Sequence, residues 1–388
     1  MKINYALIAC TLVFAAIEPV NAARLQKDLS QHSKPATIKV LLSKTSKDFM
    51  LEVKGRYQVY NPEDGIQISS GVGGNCALFS VTEKGIKWGE TLPGTFQVRI
   101  VPGDSQSSIL VNGIQYRGCV EVHVDEKGYT IINEIDVENY LRSIMSTQFP
   151  TPISEEVMDA LTIVERTNIY YHLYRNPSVF WHVTAQDSGY QGYALVFQNL
   201  HVDKAIESTR HMVLSYNNKP FPASWTKDSA GKTAEYASIL RKEAAAPEGV
   251  QAPYAAKDRA QHQWSFALTK TELAKISGSN DLQELDLYLD KNSSKVYGVK
   301  LKSKDKIRDV DFFQFQKIVG KSRLLSNDFT VTAKGDLLQF NGFGEGHGVG
   351  LCLYSANIMA EKGEKAPKIL STFFPSTKLE NMRQIALK

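Results

Sequence analysis

The sequence predicts an α+β protein, a β-rich N-terminal lobe leading into a lobe of mixed helix and sheet, and three stretches carry that prediction. Between residues 37 and 124, short apolar runs of strand length alternate with turn formers. Beyond Tyr129 the apolar spacing switches to the helical period. Further on, Asn341 to Gly350 reads N-G-F-G-E-G-H-G-V-G, with glycine at every second position from Gly342.

The β-rich lobe is read from runs at 37–42, 49–53, 57–60, 65–68, 96–101 and 119–124. Pro-Glu-Asp-Gly at 62–65, Gly-Val-Gly-Gly at 71–74 and Pro-Gly-Asp at 102–104 separate them, because these residues supply the backbone angles of turns. A strand at 130–135 leads into a helix that opens at Asp136 and ends before Phe149-Pro150, since proline disfavours a helical residue ahead of it. Ser154 caps a second helix reaching about Tyr174, with Glu155 and Glu156 in the first turn where the helix dipole favours acids. Val157, Ala160, Leu161 and Val164 fall on its core face. Strand then helix is expected over 266–276, strands at 285–289 and 296–301, and a helix over 308–319. A final helix over 351–362 stops at Gly363.

Alternating glycines have the period of a strand, leaving one face bare while Phe343, Glu345, His347 and Val349 project from the other. Glycine weakens a strand, so five in alternation point to a close neighbour: a ligand, or a tight backbone crossing with His347 as a hydrogen-bonded core residue. The run lacks G-K-[ST] and is no phosphate loop. Gly231-Lys232-Thr233 is not one either, because the position five before Gly231 is Thr226 rather than glycine.

At 388 residues, 43% hydrophobic and 22% charged, the composition is that of a globular chain with room for two lobes. A formal charge of +4 without a dense Lys/Arg stripe argues against nucleic acid as partner. Lys2, an apolar run over 5–17 and small residues up to Ala22 describe an export signal cleaved near Ala22, followed by a polar linker over 23–36. The remaining chain divides into a β-rich part at 37–128, a helical core at 129–260 and a C-terminal part at 261–388. Cys76, Cys119 and Cys352 then remain, with Cys76 and Cys119 the expected disulfide and one thiol left over. With no C-x-x-C spacing and no nucleotide motif, neither metal nor cofactor is expected.

Val137 to Pro150 reads V-E-N-Y-L-R-S-I-M-S-T-Q-F-P, and Arg166-Thr167 follows in the next helix. With the glycine run, these residues resemble the stage II sporulation protein D and amidase-enhancer (SpoIID/LytB) family, whose pattern is V-E-x-Y-L-x-G-V-V-x-x-E-M-P, then A-R-T, then G-x-G-x-G-H-G-V-G. Looser likenesses lie at 37–42, Gln191-Gly192-Tyr193, 205–216, Ser229 to Thr233 and 369–375. The resemblance implies a SpoIID-type fold in the periplasm or cell envelope and action on peptide-free glycan strands of peptidoglycan. It also implies an N-acetylmuramoyl-alanine amidase as a second partner. Arg166, Gln191, Tyr193, Trp225, Ser229, Thr233, Gly346, His347 and Gly348 stand at motif positions and are the candidate glycan-binding residues, offering the amides, hydroxyls, aromatics and cation that such a strand calls for.

One position breaks the pattern. The family's lytic transglycosylases use a single glutamate to protonate the glycosidic oxygen and then help the sugar's own 6-hydroxyl close an anhydro ring. Gln148 stands there, and a carboxamide has no titratable proton. Leu161, Leu353, Glu345, Glu165 and Trp225 also depart from the family residues. Two carboxylates are candidates for a relocated acid: Glu345, beside His347, and Glu138, whose structural alternative is a helix-start carboxylate. Arg166 is placed either against a lactyl carboxylate or in an internal ion pair with Glu138. Three functions follow: a strand-cleaving lytic transglycosylase, a non-catalytic glycan-binding module that stimulates an amidase, or a hydrolase using Ser229. The last lacks a G-x-S-x-G elbow.

Overall fold

Ile38 and Val40, then Phe49, Leu51 and Val53, turn alternate side chains inward, and this period-two burial builds two sheets from the N-terminal part. The computed structural model describes residues 35–193 and 199–382. The expected export signal and nearly all of the expected linker lie outside these. The described residues from Thr37 onward form one compact unit.

The first sheet runs Val183–Thr184, Thr37–Thr45, Gly128–Asp136, Cys119–Asp125, Gln97–Pro102, Tyr57–Tyr60, Gln67–Gly71. The second runs Ile114–Tyr116, Ser108–Val111, Phe49–Lys54, Asn75–Thr82, Gly85–Trp88, Glu90–Pro93. Phe49 and Phe79 of the second meet Tyr129 of the first edge-on, at ring separations of 5.5 and 6.0 Å. Five strands of the second sheet escape sequence reading. Asn75–Thr82 buries only Phe79 and leaves Leu78 and Val81 exposed, so it carries no clean alternation.

The expected Cys76–Cys119 disulfide is absent. Cys76 is exposed on the second sheet and Cys119 is buried in the first, both as free thiols. Burial pushes the Cys119 thiol up to about 12, which keeps it protonated and unreactive.

The two helices stand where the sequence places them. Val137–Gln148 starts on Asp136, whose carboxylate accepts the backbone N–H of Glu138 and Asn139, both at 3.1 Å, and stops at Phe149. Glu155–Arg175 follows, with Val157, Ala160, Leu161 and Val164 all fully buried.

In the C-terminal part, Gln263–Thr269, Leu337–Phe343 and Phe329–Lys334 make one antiparallel sheet and Glu284–Leu289, Val296–Lys302 and Ile307–Asp311 another. Both share a core with the helices Lys270–Ser277 and Phe312–Val319, centred on Phe312, Phe315 and Phe340. Residues 308–319 are therefore not one helix: Ile307–Asp311 pairs as a strand, and Asp311 then caps the helix by accepting from Gln314 N at 2.9 Å. Nor is the helix after the glycines the last. Leu351–Cys352 is a short strand parallel to Trp225–Thr226, Leu353–Glu361 is the helix, and Ala366–Phe373 adds another.

The glycine run also differs from the expected strand. Regular pairing ends at Phe343, and Gly344, Gly346, Gly348 and Gly350 all take left-handed φ, so the chain zigzags instead of extending. The close neighbour is the protein's own segment 224–234. Asp228 and Glu345 exchange backbone hydrogen bonds at 2.9 and 3.0 Å, and Ala234 N donates to Gly348 O at 2.7 Å. A Cβ on Gly344 would lie 2.6 Å from the Asp228 carbonyl oxygen, and one on Gly350 would collide with the Ser224 carbonyl.

Gly344→Ala therefore meets both backbone strain and a clash, and urea denaturation should show a loss of about 2–4 kcal/mol. Gly335→Ala, at φ +62 but in open space, should cost only about 1 kcal/mol. Equal losses would contradict the crossing.

Candidate functional site

Because the glycine run is pinned to segment 224–234, the end of the Val137–Gln148 helix faces it across a groove of about 580 Å³. Gln148 and Phe149 form one side, Trp225, Lys227 and Asp228 the floor, and Gly344 and Glu345 an edge. His262, Trp264 and Tyr354 complete it.

Helix termination puts Gln148 at this rim. Its Oε1 is buried and has no hydrogen-bond partner among the described residues, so an acceptor is left unspent beside the groove. The Trp225 ring packs on Phe149 at 5.1 Å, and its Nε1 donates to Glu165 Oε1 at 2.9 Å. Desolvation raises the Glu165 pKa, and the indole bond only partly offsets it. Glu345 is exposed at the edge and takes a 2.5 Å ion pair from Lys227.

The sequence singled out neither Asp228 nor His262, although they form a polar pair on the groove. His262 Nδ1 bonds to Asp228 Oδ2, and Asp228 Oδ1 accepts from Ala230 N at 2.8 Å. His262 presents its ring edge-on to Tyr354 at 4.4 Å, and Tyr354 Oη donates to Asp258 at 3.0 Å. These residues lie far apart in the chain and share no local motif; only the fold assembles them.

Several expected site residues sit elsewhere. Glu138 and Arg166 pair in the interior: Nε and Nη2 donate to the carboxylate at 3.0 and 2.9 Å, and Nη1 donates to the Thr209 carbonyl at 2.9 Å. With Arg166 at 0% exposure, the pair holds the helices together and neither member reaches a sugar. Ser229 is at 0% exposure, which removes it as a nucleophile, and Thr233 is spent on Val250 through its hydroxyl. Gly346 and Gly348 serve the crossing, against Thr226 and Lys295. His347 turns from the groove: its Nδ1 accepts from Val349 N at 3.2 Å, and burial with the nearby Lys295 cation holds its pKa down to about 4. Gln191 is exposed, and Tyr193 lines a different groove, its ring under Arg117 at 3.9 Å.

Residues 125–216 match the SpoIID family model, described as Stage II sporulation protein. This segment is similar to the SpoIID family. It holds both helices, and with them Gln148 and the Glu138–Arg166 pair. An uncharacterized protein of Chlamydia pneumoniae is 36% identical over 179 residues, 46% of this chain; the chain spans about 65% of that relative's length. Stage II sporulation protein D of Bacillus subtilis is 23% identical over 64% of this chain and 75% of its own. The Amidase enhancer of the same organism is 25% identical over 62% of this chain and 40% of its own.

Removing one partner of the buried pair strands the other. Glu138→Gln should cost about 3–5 kcal/mol in urea denaturation, while Glu345→Gln, at an exposed pair, should stay within about 1 kcal/mol. His347 gives a pH signature. Its depressed pKa means that the unfolded chain takes up a proton first, so its contribution is intact above the ordinary histidine range and is lost as pH falls toward 4. Denaturation at pH 7 and 4.5 should show a smaller acid loss in His347→Asn than in the wild type; equal losses would place the titration elsewhere.

Proposed function

We propose that the protein is exported to the cell envelope and remodels peptidoglycan there, seating peptide-free glycan strands in the groove between Gln148 and the glycine run. The observation that carries this reading is the joint wall: the SpoIID segment supplies Gln148, and the distant glycine run supplies the opposite edge. Bare glycan presents apolar ring faces, hydroxyls, N-acetyl groups and lactyl carboxylates. Trp225, Trp264 and Tyr354 offer aromatic faces, Gln148 and Asn357 offer amides, and Lys227 offers a cation for a lactyl group in place of the buried Arg166. The apolar run near Lys2 supports export.

Gln148 cannot give a proton; its carboxamide, half-buried on the groove lining, can only hydrogen-bond a sugar hydroxyl or amide. That favours strand holding as the role of this residue. An amidase as second partner rests on the likeness to the Amidase enhancer.

Purified protein should retain amidase-treated glycan strands in a pull-down, and Trp225→Ala should weaken retention about tenfold, equivalent to about 1.4 kcal/mol, with its thermal melt recorded alongside. Full retention by a folded Trp225→Ala would place the strand elsewhere.

A further inference from the structure

We infer that His262, held by Asp228, is the proton-transferring group of this groove and performs the glycosidic cleavage that Gln148 cannot. The inference rests on the glycan-strand reading above.

Asp228 is fixed before any ligand arrives. It is only 8% exposed, its backbone is paired on both sides with Glu345, and one carboxylate oxygen is held by Ala230 N. The other oxygen takes His262 Nδ1, which sets that nitrogen as the N–H donor and aims the ring. The His262 backbone is tied to the same crossing, since its carbonyl accepts from Gly344 N at 2.9 Å. Its Nε2 has no partner among the described residues and is not buried, so it stands open on the groove that Gln148 also lines. The charged groups around the ring are Asp228, the Lys227–Glu345 pair, Asp258 behind Tyr354, and Arg259, which is committed to Asp328.

Such an arrangement supports a balanced sequence. The imidazolium Nε2–H gives its proton to the glycosidic oxygen; the C1–O bond breaks, and the leaving sugar departs as a free hydroxyl with the bonding pair. The oxocarbenium-like C1 is then captured by the 6-hydroxyl of the same sugar ring. A new C1–O6 bond forms, and the hydroxyl proton passes to Nε2, restoring the imidazolium. No water is consumed and nothing is oxidised. Asp228 is a positioning residue that also stabilises the cation.

The test incubates full-length protein with amidase-treated glycan strands, scoring pull-down and anhydro-ended fragments by mass spectrometry. Wild type should bind and release anhydro fragments. His262→Gln, whose amide can still reach Asp228, should bind within twofold and cleave about 100-fold more slowly. Asp228→Asn should lower the cleavage rate while binding stays within twofold, a split that a purely structural role would not give. Binding without fragments from wild type overturns the His262 role and leaves the glycan reading standing. No binding and no fragments overturns both. Fragments that persist in His262→Gln but vanish in Glu345→Gln assign the acid to Glu345 instead.

Discussion

The close passage of the glycine run across segment 224–234 is the constraint on which the site depends. Left-handed glycines let two backbones approach within hydrogen-bonding distance along their length, with Asp228 and Glu345 exchanging bonds at one point and Trp225 and Leu351 pairing at another. A side chain at Gly344, Gly346 or Gly350 would push the two segments apart. Distance in sequence is thereby converted into a single wall carrying Trp225, Asp228 and Glu345.

Buried charges hold that wall in place. Lys295, 1% exposed, donates to the Ser229 carbonyl at 2.8 Å and to Asp328 at 3.1 Å, and Arg259 takes the same carboxylate at 2.7 Å. The C-terminal sheets are locked by this cluster to the back of segment 224–234. Desolvation lowers the Lys295 pKa, so its paired carboxylate and the carbonyl are what keep a cation tolerable there. On the other side, Glu138 and Arg166 join the two helices of the SpoIID segment and so set where Gln148 ends up.

Local chemistry made the helices legible: Asp136 at one start and Phe149-Pro150 at a stop are signals contained within a few residues, whereas Ser154 holds the second start without a side-chain capping bond. The second sheet was not legible, because strands such as Asn75–Thr82 fully bury one residue and leave the rest half-buried or exposed. The glycine period suggested a strand and a site on its histidine; the period was real, but alternating left-handed φ produces it equally well, and His347, half-buried, does not line the groove. Of the expected site, Gln148, Trp225 and Glu345 meet in one groove, while Arg166 resolves to its structural alternative. Asp228 and His262 could not be read at all, since a bond between residues 34 apart leaves no trace in spacing.

The account stands or falls on where a bare sugar chain lies. A crystal structure with a peptide-free muramyl tetrasaccharide tests this most directly. It should show sugar rings against Trp225 and Tyr354, between Gln148 and His262 Nε2. Sugar seated instead in the other groove, beside Arg117 and Tyr193, would contradict it.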